Sequence, residues 1–138
     1  MKDPLKTLER VKKFEIDEQR RILMLKLQHE EDLQNNRCKL IDDYENEKEF
    51  VRHNPTLCDF GAYTEQYLKK LRALERQIAD VQREIEQIRD VMSEMFKEQK
   101  TFEIVNQNRK NRKIKELAEQ EQKLLDEVGT NAYIKHHQ

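Results

Sequence analysis

The sequence predicts an all-α fold: a long antiparallel two-helix coiled-coil hairpin whose second helix is longer than its first. Apolar residues from Tyr67 to Phe102 recur at alternating steps of four and three, the pattern of a coiled-coil seam. Charged residues make up 40% of the 138 residues and hydrophobic ones 36%, which suits a narrow seam better than a thick globular core. A single coiled-coil domain is therefore expected over residues 1–138.

The seam of helix two consists of two interleaved series with seven-residue steps. A helix that carries such a stripe leaves it in water unless another helix covers it, so the seam requires a partner. The first series is Tyr67, Leu74, Val81, Ile88, Met95 and Phe102, and the second is Leu71, Ile78, Ile85, Met92 and the polar Gln99 and Asn106.

Helix one is expected at about residues 4–51. Asp3 suits the N-cap position and Pro4 the first turn of a helix. Its apolar residues fit an 11-residue repeat best, which favours a straight or slightly right-handed pair. The three series of this repeat are Val11, Ile22, Leu33, Tyr44; Phe14, Leu25, Asn36, Glu47; and Glu18, His29, Leu40, Val51.

A turn is expected at about residues 52–60, and helix two at about residues 61–128. Asn54 precedes Pro55, which disfavours helical backbone, and Thr56 with Asp59 resembles a capping box. So short a connection predicts antiparallel neighbours. Residues symmetric about the turn should then meet in pairs: Tyr44 with Leu71, Leu33 with Val81, Ile22 with Met92 and Val11 with Phe102.

The end of helix two differs from the rest. After a polar stretch, Ile114, Leu117, Leu124 and Val128 resume the apolar spacing one residue out of phase, as a four-residue stutter would produce. Gly129 fits the position that ends helices, which leaves a frayed tail at 129–138. The shorter helix one cannot cover this stripe, so it is a candidate binding surface.

Two further clusters have alternative interpretations. The basic run Arg109, Lys110, Arg112, Lys113 and Lys115 is either a solvated face or a contact for an acidic protein; nucleic acid is disfavoured because the net charge is −1 and no aromatic residues interleave. Aromatic residues should cluster beside the turn, either to plug the end of the core or to form a docking patch. They are Tyr44, Phe60, Tyr63 and Tyr67.

The chain is not expected to be an enzyme, and no catalytic, cofactor or metal site is predicted. The single serine, Ser93, lies mid-helix, and neither glycine belongs to a phosphate-binding loop. Cys38 and Cys58 lack CxxC spacing and fall far apart in a hairpin, so they should be free thiols in a reducing cytoplasm. No apolar run is long enough to span a bilayer, and no signal peptide is expected.

Four stretches resemble the alphaproteobacterial type of the flagellar FliJ family. Residues 8–21 are similar to the family's opening, residues 40–47 to its segment before the turn, and residues 63–71 to the segment after it. The basic run and the acidic stretch that follows resemble its C-terminal part. The resemblance covers nearly the whole chain, although Lys48 stands where some members carry an aromatic residue.

The resemblance implies a long antiparallel coiled coil similar to the central stalk of rotary ATPases. Such proteins act in the cytoplasm, peripherally at the membrane of the flagellar base, and bind the type III export ATPase ring, the cytoplasmic domain of the export gate and export chaperones. The termini would enter the ring and the hairpin region would face the gate. Gate contacts carried over by position are Ile41, Tyr44, Tyr67 and Leu71. Candidate contacts to the ATPase or another protein are Arg109, Lys110, Arg112, Lys113, Ile114, Leu117 and Leu124.

Two other functions fit the same pattern. The chain could be a structural coiled coil in which helix two forms a parallel dimer with its copy. It could also be the equivalent stalk of a virulence type III secretion system, because the physical pattern does not separate the two kinds of export system.

Overall fold

Two long helices packed against each other make up the computed structural model, which describes residues 3–55 and 59–137. Helix α1 runs from Pro4 to His53 (50 residues) and helix α2 from Phe60 to His137 (78 residues). The predicted fold class, an all-α hairpin with a longer second helix, is confirmed. The chain divides into two compact units, Phe14–Met95 and Met1–Lys13 with Phe96–Gln138.

Side-chain caps set the first helix boundaries. At the start of α1, the Asp3 Oδ1 atom accepts a hydrogen bond from the Leu5 backbone N at 3.0 Å, as expected of an N-cap carboxylate. At its end, the Asn54 side chain donates to the Phe50 carbonyl oxygen at 3.1 Å. The helix therefore ends at His53, two residues beyond the predicted end, just before the Asn54–Pro55 pair.

Asp59 caps α2. Its Oδ1 atom accepts a hydrogen bond from the Ala62 backbone N at 3.4 Å, and its carbonyl oxygen accepts one from the Tyr63 N at 3.5 Å. The predicted capping box also included Thr56, which lies outside the described residues together with Leu57 and Cys58. Asp59 is therefore the N-cap itself, whereas the predicted box placed it three residues after an N-cap at Thr56.

The heptad prediction for helix two is confirmed by burial. From Tyr67 to Asn106, each position of the two predicted series is buried or half-buried, and every other residue is exposed. The same spacing extends back to Thr64 and Phe60, which are half-buried. The stripe faces α1 because removing it from water stabilises the pair.

The core of the Phe14–Met95 unit is a small aliphatic cluster. Leu33 from α1 is buried together with Ile78, Val81 and Ile85 from α2, and Leu23, Leu27 and Leu74 pack against them. The predicted partners Leu33 and Val81 thus share one cluster. Tyr44, which was predicted to meet Leu71, stacks on Tyr67, one helical turn earlier in α2.

The 11-residue repeat predicted for helix one is wrong. Three of its apolar members, Val11, Phe14 and Leu25, are exposed, and Phe14 retains 67% of its surface. Ile16, outside those series, is only 2% exposed. The buried and half-buried positions of α1 instead include a heptad series whose steps match those of α2: Leu5, Glu9, Lys12, Ile16, Gln19, Leu23, Lys26, Glu30, Leu33, Arg37, Leu40 and Tyr44. Polar residues at half of these positions conceal the pattern.

Polar seam residues of α1 bind charged or amide side chains at the edge of α2. In the Phe14–Met95 unit, the Lys26 Nζ atom lies 2.7 Å from Glu84 Oε2, and Arg37 Nη2 lies 3.2 Å from Glu75 Oε1. Gln82 donates a hydrogen bond to Glu30 at 3.1 Å. The stems of Lys and Arg can lie along the seam while their charged ends reach solvent and a carboxylate.

The Lys26 contact also changes the acidity of its partner. The hydrogen bond from Lys26, and then its positive charge, lower the pKa of the Glu84 carboxyl below its ordinary value. Because this pKa is depressed in the folded state, the contribution of the pair to stability is present above the ordinary carboxyl pKa. It is lost as the pH falls through the lowered value.

The second unit combines the start of α1 with the end of α2. Leu5 is buried there, and the flanking charges pair across the helices: Lys12 with Glu98, and Asp3 Oδ1 with Arg109 Nη1 at 3.9 Å. From Gln107 to His136, every side chain of α2 is exposed. The paired part of α2 thus stops close to Arg109.

The predicted end of helix two at Val128 is also wrong, because α2 continues through Gly129 to His137. No glycine among the described residues has a positive φ, so Gly129 does not adopt the left-handed conformation of a helix-ending residue. Glycine within a helix costs only about 1 kcal/mol relative to alanine, and no proline follows to stop the helix. The segment predicted as a frayed tail is therefore helical.

No helix formed by the described residues contains a stretch that is both long and apolar enough to cross a membrane.

Replacing Ile16 should distinguish the heptad seam from the 11-residue repeat. Ile16→Ala removes a buried aliphatic side chain and should lower the free energy of unfolding by roughly 2–5 kcal/mol. Phe14→Ala, the matched control, removes a larger but exposed side chain and should change it by less than about 0.5 kcal/mol. Urea unfolding followed by far-UV circular dichroism measures both; a larger loss for Phe14→Ala would contradict the heptad seam.

Gly129→Ala should strengthen the end of α2. A Cβ atom there meets nothing within 4 Å, so alanine should stabilise this part of the helix by about 0.5–1 kcal/mol. In the control Gly61→Ala, the new Cβ would lie 3.3 Å from the capping Asp59 Oδ1 atom, which should offset the gain. Amide hydrogen exchange of residues 125–135 is the measurement, and faster exchange in Gly129→Ala would argue for a helix-ending glycine.

Candidate protein-binding surfaces

Four aromatic rings cluster beside the turn, as predicted. Tyr44 of α1 stacks on Tyr67 with a centroid distance of 3.8 Å and an interplanar angle of 6°. It also stacks with Phe60 at 5.5 Å and with Tyr63 at 6.1 Å, and Phe60 lies 5.8 Å from Tyr63. The Tyr44 and Thr64 hydroxyls are 3.1 Å apart and share a hydrogen bond. We call these four rings the aromatic cluster.

Most of the aromatic cluster belongs to the seam. Phe60 and Tyr67 occupy seam positions of α2, Tyr44 occupies one of α1, and all three are half-buried. Tyr63 is the exposed member. The predicted alternatives, core plug and docking patch, therefore divide between residues: three rings close the end of the core and Tyr63 faces solvent.

The environment of Tyr63 is acidic. Partial burial raises the pKa of its hydroxyl, and the negative charges of Glu47 and Asp43 raise it further. The Tyr63 hydroxyl, which is neutral near pH 7 even at the ordinary tyrosine pKa, is able to donate a hydrogen bond. The nearby turn of α1 also exposes Asp42 and Glu45.

The four predicted gate contacts are only partly accessible. All four are half-buried: Ile41, Tyr44, Tyr67 and Leu71. In addition, the rings of Tyr44 and Tyr67 each cover one face of the other by stacking. Among the exposed apolar side chains that sequence reasoning missed, Phe50 and Leu68 lie in the helical segments next to the turn. The heptad phase of α2 was the available signal for Leu68, because an apolar residue next to Tyr67 but outside the series must lie on the outer face.

The basic run lies in the other unit and is exposed throughout: Arg109, Lys110, Arg112, Lys113 and Lys115. Arg109 contacts Asp3 at 3.9 Å, a distance typical of a weak surface ion pair. The run begins where the paired part of α2 stops. Apart from Arg109, the run is therefore exposed around the helix and is not used to join α1 and α2.

An exposed apolar stripe follows the basic run. Ile114, Leu117, Leu124 and Val128 keep between half and two-thirds of their surface accessible, as the stripe prediction required. Leu125 is equally exposed. It was not predicted because it lies outside the seven-residue steps that start from Ile114 and Leu117. We call these five residues the C-terminal stripe. Tyr133 and Ile134 are exposed further along, in the segment wrongly predicted to be non-helical.

The second unit also contains a groove of about 360 Å³, lined largely by the apolar stems of polar and charged side chains. The Glu9 Oε1 atom is buried and accepts no hydrogen bond from the described residues, in keeping with its position in the seam. Charges of both signs surround it, so the groove has no clear preference for a cation or an anion. Its lining residues are Lys6, Glu9, Arg10, Lys13, Gln99 and Glu103.

Potential metal ligands and free thiols were considered within residues 3–55 and 59–137. Within this part of the chain, no three His, Cys, Asp or Glu side chains gather as potential metal ligands. Cys38 is an exposed free thiol, and Cys58 lies outside the described residues. The surfaces that stand out are instead those suited to protein contacts.

Replacing single rings of the aromatic cluster should show which of them contribute to stability by packing and which are mainly exposed. Tyr44→Ala removes the ring at the centre of the stack and should lower the free energy of unfolding by roughly 2–3 kcal/mol. Tyr63→Ala removes the most exposed ring and should cost less than about 1 kcal/mol. Thermal unfolding of both variants is the measurement; equal losses would show that Tyr63 packs as tightly as Tyr44.

The sequence matches no protein-family model, no curated protein and no solved structure.

Proposed function

We propose that this chain is a non-enzymatic stalk component of the flagellar type III export apparatus, of the FliJ kind. It would couple the export ATPase ring to the export gate and assist delivery of chaperones and substrates. The observation that carries this proposal is the exposed end of α2. A two-helix coiled coil that continues as a single amphipathic helix, basic first and apolar next, offers a docking element that its own first helix does not cover.

The ATPase contact is assigned to this exposed end. Burial of the C-terminal stripe against a partner would provide the affinity, since each large aliphatic side chain removed from water is worth about 1.5–3 kcal/mol. The basic run would provide orientation and speed by attraction to an acidic surface. The residues assigned are Arg109, Lys110, Arg112, Lys113, Ile114, Leu117 and Leu124.

The gate contact is assigned to the region of the aromatic cluster. Phe50, Tyr63 and Leu68 present apolar surface there, with acidic residues nearby. The residues carried over from the family, Ile41, Tyr44, Tyr67 and Leu71, would contribute the part of their surface that packing leaves accessible. The protein would work in the cytoplasm, held peripherally at the base of the flagellum by these contacts.

The alternatives differ in what supports them. A parallel dimer through the seam of helix two has less support than the stalk, because α1 packs on that seam. A virulence type III stalk would use the same two surfaces and differ in its ATPase and gate. Comparing binding to the flagellar and the virulence ATPase of one genome would separate the two.

Binding of the full chain to the purified export ATPase and to the cytoplasmic domain of the gate tests the proposal. We expect micromolar or tighter affinity for both by isothermal titration calorimetry. Ile114→Glu with Leu124→Glu should abolish ATPase binding and spare the gate; Phe50→Ser with Leu68→Ser should do the reverse. Phe14→Glu with Leu25→Glu, which changes equally exposed apolar residues elsewhere, is the matched control.

Absence of binding to both partners would overturn the proposal. Loss of both interactions in the control variant would show that the contacts are not local to the assigned surfaces. Far-UV circular dichroism of each variant verifies that the hairpin is retained.

A further inference from the structure

Residues 107–130 of α2 form a segment whose charge is strongly divided along its length; we call it the bipolar segment. Its first part contains the five cations of the basic run and no acid up to Lys115. Its second part, from residue 116 to 127, contains one cation, Lys123, among five acids. These acids are Glu116, Glu119, Glu121, Asp126 and Glu127.

The same segment carries the C-terminal stripe. At 100° per residue, the five stripe residues share one side of the helix, while Glu116, Glu119, Lys123 and Asp126 lie on the other. Each stripe residue keeps more than half of its surface accessible. The segment therefore has an apolar face and, along its axis, a basic end and an acidic end.

We propose that the bipolar segments of two copies of this chain pair with each other in an antiparallel arrangement. Antiparallel pairing sets the basic end of each copy beside the acidic end of its partner, and it does so twice about one two-fold axis. Parallel pairing would set like charges side by side along the whole segment. The charge division thus selects both the occupant, a second copy, and its direction.

The position of the segment agrees with this pairing. Helix α1 uses the seam face of α2 up to the contact between Asp3 and Arg109, and every α2 side chain from Gln107 to His136 is exposed. A row of exposed large apolar side chains on one side of a helix is the kind of patch that marks an association site. One acidic residue, Glu121, interrupts the row and limits the affinity, so the pairing is reversible.

This inference goes beyond the proposed function and does not depend on it. Pairing of two copies needs only the bipolar segment, whatever the partners of the chain in the cell. If the export assignment also holds, self-pairing and ATPase binding use the same stripe and exclude each other. The chain alone would then protect its docking surface until the ATPase competes for it.

Sedimentation equilibrium of the full chain tests the association. We expect a reversible monomer–dimer equilibrium, with a dimer dissociation constant that rises about 30-fold or more in Leu117→Glu with Leu124→Glu. The control Phe14→Glu with Leu25→Glu should leave it unchanged, because these equally exposed residues lie outside the segment. Since all four positions are exposed, circular dichroism should show full helicity in both variants.

The direction of pairing is tested with spin labels in a chain carrying Cys38→Ser and Cys58→Ser. A single label at Gln120→Cys lies near the proposed two-fold axis and should give a short distance between copies. A label at Thr130→Cys should give a distance longer by roughly 30 Å, from the 1.5 Å rise per residue on each copy. Short distances at both positions would mean parallel pairing and overturn the proposal.

Two other outcomes would also overturn it. One is a chain that remains monomeric up to about 100 μM, a weaker association than such a patch should give. The other is a dimer whose dissociation constant is unchanged in Leu117→Glu with Leu124→Glu, or equally raised in the control. Export binding is not measured in any of these experiments, so failure here leaves the function proposed above intact.

Discussion

The hairpin depends on an unequal seam. Helix α2 supplies apolar side chains at nearly every seam position, whereas α1 supplies apolar and polar side chains in about equal numbers. Such a seam holds together because polar residues of α1 such as Lys26 and Arg37 each have a specific carboxylate neighbour at the edge of α2. Hydrophobic burial drives the association, and the ion pairs select which residues lie opposite each other.

Which residues occupy seam positions also determines where the exposed apolar surface lies. Because their positions fall outside the heptad series of α1, Phe14 and Leu25 stay exposed. Near the turn, the aromatic rings are mostly used for packing, and binding surface remains only at their edges. Within residues 107–136 of α2, every described side chain is exposed, and the whole C-terminal stripe is accessible. The two candidate surfaces thus differ in kind: one is shared with the core, the other is wholly separate from it.

Sequence reasoning predicted the fold and the buried face of α2, because each heptad position there carries an apolar residue or an amide in phase. It failed on α1 because Lys12, Lys26 and Arg37 stand at seam positions, and such residues look like solvent-facing ones until their carboxylate partners are known. Gly129 was misread for a related reason: a glycine can end a helix or lie within one, and its φ decides. The aromatic cluster was predictable as a group from closeness to the turn, but its exposed edge required the stacking geometry.

The aromatic cluster has a consequence for how the chain folds. Tyr44 and Thr64 are 20 residues apart in sequence, whereas Arg37 and Glu75 are 38 apart and Glu30 and Gln82 are 52 apart. The entropy lost on closing a loop grows with its length, by about 0.6 kcal/mol for each doubling, so the ring stack closes the cheapest of these three loops. Once it forms, each further contact along the seam adds only a short stretch of chain to the ordered part. Folding as a zipper that starts at the turn is therefore the least costly route to the seam.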